Sequence, residues 1–105
     1  MSTITKVIQD SISPDKAIEM LKDGNKRFLE KKELERDLHL QVSQTSSGQF
    51  PYAVVLSCID SRVPVELVLD QGVGDIFSAR VAGNIINEDI LGSIEIGRAS
   101  CRERV

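Results

Sequence analysis

Apolar positions along this chain change from a helical to a strand-like spacing close to residue 50. Ala17, Met20, Leu21, Phe28 and Leu29 recur at helical intervals with Lys and Glu on the other face, which predicts an amphipathic helix. Ser13-Pro14-Asp15 supplies its start: a hydroxyl N-cap, a proline at the first helical position and a carboxylate in the first turn. Gly24-Asn25 is expected to weaken that helix or divide it in two. Residues 1–12 are polar with scattered Ile and Val, and read as a mobile arm or a short helix. A second helical stretch is expected from Glu33 to Gln44, ended by Ser46-Ser47-Gly48.

From Tyr52 the pattern is different. Tyr52-Ala53-Val54-Val55-Leu56 is short, continuous and rich in β-branched residues, as a buried strand is. Pro64 opens a short helix over Val65 to Leu69, Gly72 and Gly74 turn the chain, and Asp75 to Ala79 reads as a second strand. Arg80-Val81-Ala82-Gly83-Asn84 is a loop in which Gly83 permits unusual backbone angles or close approach of a ligand. Asn87-Glu88-Asp89 has the form of a capped helix start. Strand, helix, strand, helix predicts an α/β fold: a parallel sheet flanked by helices, with an N-terminal helical arm and sites at the C-terminal ends of the strands.

Ser57-Cys58-Ile59-Asp60-Ser61-Arg62-Val63-Pro64 begins where the first strand ends. Alternate side chains of an extended segment point the same way, so Cys58, Asp60 and Arg62 are expected to converge on one small site. A thiolate and a carboxylate make half of a zinc site, and a guanidinium can hold the carboxylate by a bidentate hydrogen bond. The plainer readings are a buried core cysteine and a structural ion pair.

Composition narrows the choice of partners. The chain has 105 residues, 41% of them hydrophobic and 28% charged, which suits one soluble domain. A net charge of -3 and an aromatic content of 4% argue against nucleic acid and anionic membranes as partners. No apolar run is long enough to span a bilayer and no signal-peptide layout opens the chain, so a cytoplasmic location is expected. In that compartment a motif-embedded cysteine points to metal or catalysis rather than to a Cys58–Cys101 disulfide.

The succession Ser57 to Pro64, then Asp75-Ile76-Phe77, then Arg80 to Asn84 resembles the β-class carbonic anhydrases, over roughly Ala17 to Glu95. That resemblance implies a zinc lyase interconverting carbon dioxide and bicarbonate. It matches Cys58 to a zinc ligand and Asp60 to the aspartate that either pairs with Arg62 or occupies a metal position. Asp60 and Arg62 are thereby the implied catalytic pair. Gln49 is matched to a bicarbonate donor, Phe77 and Ala82 to the lining of a carbon dioxide pocket, and Gly83 to the adjacent loop. Homodimers or larger homo-oligomers are implied as well.

The family's remaining ligands come from a His-x-x-Cys motif that these residues do not include. His39 falls in a helical stretch and is expected at a surface or interface, and Cys101 matches no family position. Residues 96–105 resemble the translation of a sequencing adapter and are expected to be a non-native tail. Residues 1–95 then form the N-terminal part of a single, incomplete domain, expected to be inactive by itself. Two other readings stay open: a non-catalytic oligomerising half-domain, and a same-family hydrolase acting on a carbon dioxide analogue.

Overall fold

The computed structural model describes residues 3–100, the side chains of 97–100 excepted. Three helices come first: α1 (Lys6–Ser11), α2 (Pro14–Leu29) and α3 (Leu38–Gln44). Strand β1 (Ala53–Ser57), the short helix α4 (Val65–Val68) and strand β2 (Ile76–Arg80) follow. A 3-10 turn over Ala82–Asn84 leads to α5 (Glu88–Ser100). The strands run parallel, from Ala53 opposite Ile76 to Ser57 opposite Arg80, so the expected α/β architecture is present as a two-stranded sheet.

The two faces of that sheet are covered by different helices. Ala53 and Ile76 are buried with Ile12, Ala17, Tyr52 and Val65, and Val55, Met20, Leu21 and Leu69 pack around them. Val54, Phe77 and Ala79 share a cavity with Ile90, Ser93 and Ile96 of α5. The alternation of strand side chains therefore sends Val55 toward α2 and Val54 toward α5. Tyr52 is fully buried, and its hydroxyl donates to Gln71.

Helix α2 is continuous through Gly24-Asn25, contrary to the break allowed by the sequence. Ser13 caps it by accepting from the Lys16 N–H at 3.1 Å. Gly24 is buried against the end of α4, where an added Cβ would lie 1.8 Å from the Leu69 carbonyl oxygen. Asn25 donates to the Val68 carbonyl at 2.8 Å. The glycine thus marks a place where two backbones touch.

The expected helix from Glu33 starts later, at Leu38, with Asp37 accepting from the Leu40 N–H at 3.0 Å. The residues before it are occupied elsewhere, on Asp70, which is only 4% exposed. Its carboxylate accepts from Arg27 Nε and Arg36 Nη1, both at 2.6 Å, and from the Leu34 N–H at 3.0 Å. Its carbonyl accepts from Arg36 Nη2 at 2.9 Å and Arg27 Nη2 at 3.3 Å. Burial pushes this carboxyl up, but the bonds from Arg27, Leu34 and Arg36 outweigh it and hold the group below the usual carboxylate range.

Two stability predictions follow from these contacts. Gly24→Ala gains about 1 kcal/mol of helix propensity. The clash with backbone costs more, about 1–3 kcal/mol, so urea unfolding should show net destabilisation. Asp70→Ala leaves two guanidiniums without their shared carboxylate and should cost about 3–5 kcal/mol by the same measurement. Because the folded carboxyl is depressed, its contribution is full above the ordinary carboxylate pKa and is lost as pH falls through the folded value. Asp70→Ala should therefore flatten the acid limb of a stability-against-pH curve.

Candidate metal centre

The segment after β1 turns sharply at Asp60. The Arg62 backbone N–H donates to Asp60 Oδ1 at 2.8 Å, an Asx turn that folds the guanidinium back over the same carboxylate. Arg62 Nε lies 3.0 Å from Oδ1 and 3.2 Å from Oδ2, and Nη2 lies 2.6 Å from Oδ2. The Arg62 side chain bond, then its backbone N–H, hold the Asp60 carboxyl below the usual range. The pair lies near the surface, with side-chain exposures of 32% for Asp60 and 86% for Arg62.

Cys58 is half-buried and carries a free thiol. The backbone N–H groups of Asp60 first, and then Gly83, bond its sulfur and hold the thiol below its usual value. Gly83 comes from the second loop, where its φ of 70° lies in the left-handed region that a glycine adopts without strain. Strand pairing carries that loop into place, because the Val81 N–H donates to the Ser57 carbonyl at 3.1 Å, one step past Arg80.

One chain therefore brings together Cys58, Asp60, Arg62 and Gly83, with Ala82 exposed in the same 3-10 turn as Gly83. Phe77 lies elsewhere, in a cavity of about 270 Å³ beneath α5 whose lining includes neither Cys58 nor Asp60. Gln49 is exposed beside Thr45 and Gly74, before the start of β1, whereas Cys58 follows its end. His39 is exposed on α3. Cys101 lies outside the described residues. Among the described residues, no group of three or more His, Cys, Asp or Glu side chains could hold a metal ion.

Arg80, which heads the loop motif read from the sequence but was assigned no role there, belongs to this place. Its guanidinium donates to the Asp60 carbonyl and, at 3.2 Å, to the Val63 carbonyl. The signal for a role was its position at the head of that motif and at the end of the second strand, which parallel pairing brings opposite Ser57.

Comparison with known proteins bears on these residues. The carbonic anhydrase family model matches residues 53–102. Carbonic anhydrase 2 of Mycobacterium tuberculosis is 42% identical over 88 residues, which cover 79% of this chain and 41% of that protein. The carbonic anhydrase of Mycolicibacterium smegmatis is 45% identical over 84 residues, with the same shares covered. The carbonic anhydrase of Synechocystis is 47% identical over 51 residues, which cover 49% of this chain and 18% of that protein. The chain thus spans about two fifths of the length of its mycobacterial relatives.

The exposure of the Asp60–Arg62 pair separates it from the Asp70 cluster. Exposed pairs add little to stability, so Asp60→Asn and Arg62→Ala should leave the thermal unfolding midpoint unchanged. A midpoint lowered as far as in Asp70→Ala would show that the pair is structural.

Proposed function

We propose, from its similarity to carbonic anhydrases, that the chain is part of a β-class carbonic anhydrase and that the complete protein reversibly hydrates carbon dioxide to bicarbonate with zinc. Cys58, Asp60 and Arg62 are then this chain's share of the centre. The observation that carries this reading is the Asp60–Arg62 pair beside a thiol that the backbone N–H groups around it, those of Asp60 and Gly83 foremost, hold below its usual value.

The residues present suit a zinc ion in part. A thiol held below its usual pKa has the thiolate character that zinc selects, and Asp60, two residues on, would be an oxygen donor only when released from Arg62. Zinc, when bound, supplies the Lewis acidity that brings the pKa of water to about 7. The His-x-x-Cys ligands would come from elsewhere in the complete protein.

This chain's own residues then orient the nucleophile. Three N–H groups of Arg62 make four hydrogen bonds to the Asp60 carboxylate, the Nε–H being shared between Oδ1 at 3.0 Å and Oδ2 at 3.2 Å. The longer, shared bond at Oδ2 is the one that a substrate hydroxyl would replace. Arg62 keeps Asp60 ionised, so the carboxylate can only accept, and a hydroxyl bound there turns its lone pair toward carbon dioxide. Ala82 and Gly83 fit as substrate contacts by their place in the turn that reaches Cys58. Gln49 and Phe77 are proposed as substrate contacts on resemblance alone.

Several large apolar residues are exposed, Val7 at 79%, Leu29 at 71%, Leu67 at 62% and Ile85 at 65% among them. They support surfaces covered by the remainder of the domain or by a second subunit, as a homo-oligomer would have. No described helix is long and apolar enough to cross a membrane. We keep a cytoplasmic location in this reading, and residues 1–95 as the domain's own part, with 96–105 a non-native tail. Genomic sequence past the codon for Glu95 decides the tail, since a gene that encodes Ile96 to Val105 refutes it.

In the complete protein, Asp60→Asn and Arg62→Ala should each lower the carbon dioxide hydration rate by about 100-fold or more, the scale of a positioned proton-handling group. Cys58→Ser should reduce bound zinc, and a chelator should abolish turnover until zinc is restored. Undiminished hydration in the Asp60 and Arg62 variants would overturn the assignment.

A further inference from the structure

The Asp60–Arg62 pair spans only two residues and is exposed, and a pair of that kind does not hold a loop in one shape by itself. Within the loop, the Val63 N–H reaches the Asp60 carbonyl only at 3.4 Å, a long and weak bond. The tether from outside is Arg80. It is the last residue of β2, partly buried, and fixed opposite Ser57 by the strand register. Its Nη2 donates to the Asp60 carbonyl and its Nη1 to the Val63 carbonyl, so one planar group grips both ends of the turn. Both acceptors are backbone oxygens, so the guanidinium fixes the course of the main chain.

The geometry points to Arg80 as the positioning residue that keeps the Asp60 carboxylate turned to Arg62. The inference rests on the functional reading above in one respect: in the active enzyme, Asp60 must stay on Arg62 rather than take up a metal position. The planar fork is what the site requires. A lysine ammonium is a point charge and does not reproduce two fixed donors aimed at two carbonyls.

The test is the Arg62 Nε–H resonance of the nitrogen-15-labelled chain in Arg80→Gln and Arg80→Lys, at mildly acidic pH. Arg27 Nε–H, partly buried on Asp70, reports separately on the fold. Arg80→Gln should move the Arg62 signal to the free-arginine position and leave the Arg27 signal in place, with Arg80→Lys intermediate. In the complete protein, Arg80→Gln should lower kcat about tenfold with zinc content unchanged, the scale of a lost charge-assisted hydrogen bond. An unmoved Arg62 signal overturns the proposal, and so does simultaneous loss of the Arg27 signal in both variants, since Arg80 would then hold the fold at large. A complete wild-type protein that hydrates no carbon dioxide refutes the functional reading, while the resonance shift would still establish the positioning role.

Discussion

Parallel pairing of β1 with β2, in the register that sets Ser57 opposite Arg80, is the constraint on which the site depends. It brings two loops far apart in sequence to the same end of the sheet. The first carries Cys58, Asp60 and Arg62, and the second delivers the Gly83 N–H to the thiol. A shift of one residue would turn Arg80 to the other face and remove its hold on Asp60 and Val63. The location follows the general rule for open α/β sheets, in which sites form outside the carboxyl ends of the strands.

Two arginine–aspartate groupings of opposite character divide the work. Around Asp70, two arginines and a main-chain N–H surround a carboxylate that is almost wholly buried. Desolvation is costly there, and each bond answers it. The result ties α2 and the segment before α3 to the turn after α4. Around Asp60, a single arginine faces solvent and little desolvation is involved. That carboxylate stays within reach of other molecules, as the substrate-handling role proposed for it requires.

Much of this was legible in the residue pattern. The Ser13-Pro14 start of α2 formed as its capping chemistry requires, and the β-branched run at Val54 and Val55 became a strand. Gly24 misled because propensity treats glycine as a weakness, whereas here a missing Cβ lets two backbones meet. The residues from Glu33 misled for a related reason. Their helical spacing was overridden by the bonds of Leu34 and Arg36 to Asp70, a partner 34 to 36 residues away. Arg80 was read as the head of the Arg80 to Asn84 motif but given no role, because its acceptors are carbonyls that every residue carries.

Local chemistry, then, was the sequence's own to determine: the helix caps, the switch from helical to strand spacing, and the two-residue spacing at which an Asx turn, rather than the expected extended alternation, sets Arg62 on Asp60. Those features depend on neighbours within a few residues, whose spacing is written in the chain. Tertiary structure alone decided which distant backbones would meet. It set Gly83 against Cys58, clamped the Asp60 turn with Arg80, left Phe77 beneath α5, and put Gln49 at the other end of β1. Strand register and helix packing create those relations, and both are properties of the folded core as a whole.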